Sequence, residues 1–435
     1  MGLTSKLDKL KILSSHNDLS SSISKSTVQL DDSGDTDDID ELDNEGQSIL
    51  MGIIAQLRPG CDLSKITLPT FILEKKSMLE RITNFFQIPS ILLLANETDD
   101  ALERFILMLK WYLASFHIAP KAVKKPLNPV LGEVFACYWD DLPNNNSAYY
   151  VSEQVSHHPP KSSYFYLVPE LKIRVDGILI PKSKFLGNSS AAIMEGWGHV
   201  TLGERNNETY IMNQPNIYCR GILFGKLKTE LGDHMYLKCA ETGFEADIDF
   251  KTKGFISGTY DAIEGVVKNS KTSEVLYNIS GKWNEIIDIK NVKTGEKQVL
   301  FDTSQATLVK PKVKPINEQW EYESRRLWKP TLEGLSKRNH ELATEEKFKV
   351  ENEQRDQAKK RAELGVEFHP RLFRPAKDLE ENIKDLEYVI YKDINLKRDS
   401  EELTNSVLEI FPIVPGQRLH DNFDVPGFKK AKETD

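Results

Sequence analysis

The sequence predicts an α+β fold built on one large antiparallel sheet, sandwich or barrel. Three observations carry this reading. Between Glu133 and Asp302, runs rich in Tyr, Val, Ile and Phe alternate with Gly, Asn and Asp about every 8 to 12 residues, the spacing of strands joined by turns. On the N-terminal side Leu102, Phe105, Ile106, Leu109, Tyr112, Leu113 and Phe116 form a stripe of helical period. Beyond Pro315 the pattern returns to helix, over Glu318–Leu335 and Thr344–Leu364. With 435 residues, 39% hydrophobic and 28% charged, the chain has a globular composition and the length of one or two domains.

Composition excludes several function classes. The longest apolar helix candidate, Ala101 to Ile118, is interrupted by Arg104 and Lys110, so no membrane span is expected. Four widely spaced cysteines, 61, 137, 219 and 239, show no Cys-x-x-Cys spacing and argue against a zinc site or disulfide framework; a reducing, cytosolic compartment follows. No apolar signal segment opens the chain, so the sequons at Asn96, Asn188, Asn207 and Asn278 are expected to be unused. Seven of the nine net negative charges lie in residues 1–46, leaving the remainder near neutral, with no global field for nucleic acid.

In chain order, residues 1–46 read as a disordered tail, Ser-rich and then acidic. Leu3, Leu7 and Leu10 among lysines give either a short membrane-touching helix or a mobile terminus. Residues 47–73 hold an apolar helical segment, Ile49–Leu57, stopped by Pro59-Gly60, and an irregular apolar segment from Cys61 to Leu73. Residues 74–130 read as helical up to Ile118, and the apolar stripe there is core. Lys121 to Glu133 then packs two prolines, a glycine, lysines and Asn128 into one turn, a surface loop or an anion partner with little ordering cost. Residues 131–315 carry the strands, among them Ala148–Val155, Ser163–Val168, Ile173–Ile180, Asn216–Phe224, Lys226–Lys238, Phe244–Phe250 and Val275–Trp283. A barrel of more than roughly eight strands has room for a ligand. In residues 316–435 the helix from Thr344, its expected N-cap, to Gly365 sets Lys347, Glu351 and Arg355 at i, i+4 and i+8; residues beyond 366 are Pro-punctuated and packed on the barrel.

The least ordinary stretch is Ser152-Glu153-Gln154-Val155-Ser156-His157-His158-Pro159-Pro160, where the prolines force the paired histidines into extended backbone at a strand end. It resembles the signature of the oxysterol-binding-protein-related family of lipid carriers. Two further stretches share that resemblance in the family's order: Lys125-Pro-Leu-Asn-Pro-x-Leu-Gly-Glu133, and Lys347-x-x-x-Glu351-x-x-x-Arg355. The resemblance spans residues 47 to 430. It implies a single lipid-binding domain over 47–435, an incomplete β-barrel around an apolar lipid tunnel, closed by an N-terminal lid at 47–73, with a helical layer and a C-terminal helical subdomain.

The lid and the lack of added modules resemble the short yeast-type branch that carries phosphatidylserine; a sterol carrier or sensor of the same fold is the alternative. By that resemblance His157, His158, Lys125, Lys347 and Arg355 hold the head group of phosphatidylinositol 4-phosphate, with Glu351 orienting the basic pair. Leu68, Thr70, Ile72, Lys125, Asn128 and Ser183 contact phosphatidylserine. A monomer exchanging these lipids between endoplasmic reticulum and plasma membrane, in transient contact with each surface, is implied. No enzyme chemistry is expected, since no Cys-x5-Arg loop, Asp-rich metal cluster or nucleophile elbow accompanies the histidines, and no cofactor is required.

Overall fold

A computed structural model describes residues 60, 70–118, 123–222, 227–254, 258–376 and 385–419. The expected tail, Leu68 and most of the lid lie outside the described residues. Among the described residues a 3-10 turn at Thr70–Ile72 leads into β1 (Leu73–Ser77) and α1 (Met78–Arg81), followed by α2 (Pro89–Glu97) and α3 (Ala101–Ser115). The expectation of helix from Glu74 is corrected here: Leu73–Ser77 is extended and pairs in parallel with β2 (Lys125–Leu127), inside the Pro-rich turn. Backbone pairing with a distant segment overrides the local pattern.

Among the described residues fourteen strands then form one antiparallel sheet: β3 (Val134–Leu142), β4 (Asn146–His157), β5 (Pro160–Val168), β6 (Ile173–Phe185), β7 (Ser189–Glu195), β8 (Gly198–Leu202), β9 (Glu208–Met212), β10 (Asn216–Arg220), β11 (Lys228–Cys239), β12 (Phe244–Lys251), β13 (Ala262–Asn269), β14 (Val275–Lys282), β15 (Ile286–Asn291) and β16 (Lys297–Asp302). The sheet forks at β6, whose first half pairs with β8 and whose second half pairs with β7. The branches rejoin on β11 through β9 and β10. Edge strands β3 and β16 do not pair, which makes the barrel incomplete. The chain leaving β16 returns to β3, where Lys312 and Tyr138 exchange backbone hydrogen bonds of 2.8 and 2.9 Å and Trp139 Nε1 donates to the Val309 carbonyl at 2.8 Å. That return covers an edge whose open backbone groups would otherwise invite pairing.

Strand alternation divides two cores. Phe135, Cys137, Tyr150 and Tyr166 point inward and pack with α2 and α3. Val134, Ala136, Val151 and Phe165 point outward, against Leu372, Phe373, Leu403, Val407 and Phe411 of the C-terminal segment. Burial on α3 is wider than the predicted stripe, covering 104–109 and 111–115, because the helix is enclosed by the barrel instead of lying on it. Asp100 caps it, accepting from Glu103 N at 2.8 Å. Its buried Arg104 grips Glu208 on β9 through two bonds of 2.8 and 2.7 Å, and the Tyr210 hydroxyl donates to the same carboxylate. Inside the barrel the Tyr164 ring lies across Gly177, where a Cβ would fall 2.1 Å from it, so only glycine admits that ring.

The C-terminal helices differ from expectation in two places. The predicted helix over Glu318–Leu335 is broken into α4 (Ser324–Leu327) and α5 (Lys329–Ser336), because Pro330 lacks an N–H and starts a new helix, while Trp320 and Tyr322 leave the helical path to pack on Phe411 and each other. The long helix α6 (His340–Leu364) starts a turn before Thr344: the N-cap is Asn339, which accepts from Leu342 N at 3.0 Å, and Gly365 closes it in the left-handed region at φ 63°. Helix α7 (Ser400–Leu408) completes the outer core.

Candidate functional site

Three segments distant in sequence meet at one rim of the barrel: the Lys125–Glu133 loop, the β4–β5 hairpin and α6. The hairpin is set by sequence, since β4 runs through His157, a cis His158–Pro159 bond makes a two-residue turn, and Pro160 starts β5 opposite His157. Loop and hairpin are joined by backbone bonds, Gly132 N to the Gln154 carbonyl and Gln154 N to the Glu133 carbonyl, both at 2.9 Å.

Glu133 is the buried anchor of that loop. Its carboxylate accepts from Val130 N at 3.0 Å, Ser324 Oγ at 2.7 Å and Trp328 Nε1 at 2.9 Å, tying the loop to α4 and the start of α5. Burial raises its pKa, and these bonds oppose the rise. Glu153 does the same on the outer face, accepting from the backbone N–H of Arg371 and Leu372 at 2.9 and 2.8 Å. Burial pushes its pKa up to about 7.

Backbone groups dictate the proton positions of His157. Leu131 N can only donate, and it donates to Gln354 Oε1 at 2.6 Å, so the Gln354 amide nitrogen faces His157 Nε2 at 2.9 Å. His157 Nε2 therefore accepts, and Nδ1 carries the proton, donated to the Pro129 carbonyl at 3.2 Å. Burial first, then His158 and Arg355, lower the His157 pKa to about 4, against the opposing Pro129 bond and Glu351. His158 is exposed, with its ring centroid 4.5 Å from that of His157.

On α6, Lys347 and Arg355 both reach Glu351, Lys347 by a short ion pair and Arg355 at 3.6 Å. The ion-pair ladder expected from the spacing is formed, with Glu351 between the two cations. Lys125 reaches solvent from within a crowded setting; enclosure by the protein and then repulsion from Lys347 lower its pKa, while Glu351 raises it. The Leu131–Gln354–His157 bonds join loop, helix and hairpin in one locality, in keeping with the influence of Lys347 and Glu351 on Lys125 and of Glu351 and Arg355 on His157.

Asn128 is exposed in the same loop, and Ser183 lies on β6 opposite Ala192. Thr70 and Ile72 are buried. The Thr70 hydroxyl donates to the His340 carbonyl at 3.3 Å and lies 3.2 Å from Thr344 Oγ1, so the described end of the 47–73 segment is fastened to α6. Lys124 Nζ donates to the Phe71 carbonyl at 2.8 Å. Gln354 and Arg361 escaped the sequence reading, although both fall on the face of Lys347 at seven-residue steps.

The model of the family described as oxysterol-binding protein matches residues 52–334. The chain is 69% identical to oxysterol-binding protein-like protein OBPa of Candida albicans, over the whole of both chains. It is 55% identical to oxysterol-binding protein homolog 6 of Saccharomyces cerevisiae, covering 96% of this chain and 93% of that one. Among solved structures, the Osh1 ORD domain in complex with cholesterol superposes with a TM-score of 0.68 at 23% identity, covering 85% of this chain and 91% of that one. The Osh3 ORD in complex with PI(4)P from Saccharomyces cerevisiae gives 0.59 at 20% identity, covering 82% and 91%. Match and geometry agree, and the chain belongs to the oxysterol-binding protein family.

Proposed function

We propose that the protein is a lipid transfer protein that exchanges phosphatidylserine for phosphatidylinositol 4-phosphate between membranes, endoplasmic reticulum and plasma membrane being the pair. The observation that carries it is the meeting of His157, His158, Lys125, Lys347 and Arg355 at one barrel rim. A phosphomonoester carries close to two charges and three acceptor oxygens, and such a cluster supplies charge-assisted donors for them. A relative fold, the Osh3 ORD, is described with that phosphoinositide, which supports the same ligand here. Two acyl chains exposed to water would cost well over 20 kcal/mol at about 0.8 kcal/mol per CH₂, so extraction needs an apolar interior and a cover. The apolar inward residues of the barrel support the first, and in this reading residues 47–73 are the cover.

In this reading Asn128, Ser183 and the lid residues Leu68, Thr70 and Ile72 face phosphatidylserine, and the chain works as a monomer without a cofactor. Donor vesicles containing labelled phosphatidylserine, and acceptors with or without phosphatidylinositol 4-phosphate, test it. Transfer is expected to accelerate with the phosphoinositide in the acceptor. Sterol transfer in its place would select the second reading, which the cholesterol complex of the Osh1 fold favours. Release of inorganic phosphate would overturn both.

A further inference from the structure

Where β6 changes partner from β8 to β7, the wall of the barrel opens. Gly177 pairs with Gly198 and Ile180 with Glu195, and between them Ile178 N donates to the carbonyl of Trp197 at 3.0 Å. Across the gap, side-chain amides replace missing ladder bonds: Asn213 Oδ1 accepts from Tyr236 N at 2.6 Å and Asn216 Oδ1 from Met194 N at 2.8 Å. A cavity of about 480 Å³ lies at this fork.

Its lining is apolar and acidic. Ile178, Ile180, Ile193 and Trp197 line it, and the first two and Trp197 continue into a small outer core with Leu386 and Val389. The exposed acids Glu195, Asp385 and Glu387 also line it, and among the described residues no lysine or arginine does. Glu195 is paired with Lys182 at 2.6 Å, Glu387 with Lys161, and the lining His234 with Asp247 at 2.6 Å. The Asp385 carboxylate has no hydrogen bond or ion pair among the described residues. An apolar recess edged with acids selects an occupant that is itself apolar and positively charged, and it disfavours a phosphate.

We propose that this cavity is the docking site for residues 1–13 of the same chain, which lie outside the described residues. Charge selects that segment. It sets Lys6, Lys9 and Lys11 among Leu3, Leu7, Leu10, Ile12 and Leu13, with Asp8 as its one acid. Residues 14–46 hold ten acids and one lysine and are repelled by the rim, and residues 47–57 carry no charge. Reach permits the docking as well. Gly60 N donates to the Phe185 carbonyl at 2.6 Å, and Phe185 is on β6, the strand whose Ile180 borders the cavity. The step from Phe185 to Ile180 is about 17 Å along a strand. Residues 14–59 supply 46 residues of chain, and a coil of that length spans about 35 Å. In the docked arrangement the lysines meet the acidic rim and the leucines cover Trp197.

Zero-length carbodiimide coupling of the full chain, read by mass spectrometry, tests this, because it joins a lysine to a carboxylate only where the two touch. Amides from Lys6, Lys9 or Lys11 to the cavity acids are expected, Asp385 foremost. Trp197→Ala should lower their yield about fivefold, while the resident Lys182–Glu195 and Lys161–Glu387 amides, which report the folded wall, stay unchanged. A second variant leaves the wall untouched: in Lys6→Glu with Lys9→Glu and Lys11→Glu, labelling of Asp385 by carbodiimide and glycine ethyl ester should rise about threefold. A mixture of heavy-isotope-labelled and unlabelled chains separates one chain from two. Amides confined to one label support the docking; amides across labels would give the cavity to a second copy and overturn it. Coupling of the three lysines only to Asp31–Glu45, or Asp385 labelling that ignores their replacement, also overturns it.

Discussion

His157 is neutral at physiological pH because both ring nitrogens are already bonded, one by the Gln354 amide and the other to the Pro129 carbonyl, and because burial opposes its charge. A phosphate arriving at the rim reverses that balance by favouring the imidazolium. Affinity for phosphatidylinositol 4-phosphate is therefore expected to rise as pH falls from 8 to about 6, where the phosphate itself begins to lose charge; vesicle binding across that range measures it, and His157→Asn should flatten the curve. The opposite sign holds for stability. A histidine whose pKa falls from 6.5 to about 4 on folding binds fewer protons folded than unfolded, so stability is full above pH 6.5 and declines between 6.5 and 4. Denaturant unfolding at several pH values should show the decline, smaller in His157→Asn. The combined change His157→Ala with His158→Ala is expected to abolish phosphoinositide extraction while phosphatidylserine binding persists; equal loss of both would make the pair structural.

At the scale of elements, the rim depends on buried acids bonded within the protein. Glu133→Ala strands the donors of Trp328, Ser324 and Val130, and at about 1–3 kcal/mol per unmade buried bond it should cost at least 3 kcal/mol. Chemical denaturation reads this, and a loss below 1 kcal/mol would mean water replaces the carboxylate. Much of the rim was legible in sequence: paired prolines announce the hairpin, and Lys347, Glu351 and Arg355 fall within reach of one another on a helix. The position of Gln354 was legible only as periodicity. Its role needs Leu131 and His157, 223 and 197 residues away in the chain, brought to its two ends by the fold. Likewise β1 looked helical because its parallel partner, Lys125–Leu127, lies 52 residues later at Leu73↔Lys125.

For the molecule as a whole, two cores on opposite faces of one sheet couple the barrel interior to the C-terminal segment. The Arg104–Glu208 pair fastens the enclosed helix to the barrel wall. Replacing Arg104 by Met leaves Glu208 buried with a lost partner and should destabilise by about 3–5 kcal/mol, seen as a shifted denaturation midpoint; Arg104→Met with Glu208→Leu should recover much of it. The proposed lid makes a further demand: Leu68→Asp should weaken lipid retention, checked by lipids co-purifying with the protein.

Strand period and turn residues were enough for the sequence alone to determine a large antiparallel sheet flanked by helices, and three short motifs picked out segments that the fold brings to one rim, because these signals are local. Only the tertiary structure decided that the sheet forks at β6 and stays open between β3 and β16, that Thr70 is bonded to α6, and that Gln354 joins the Leu131 loop to His157. Each of those depends on which distant backbone groups and helix faces meet, and pairing across a hundred or more residues leaves no local trace.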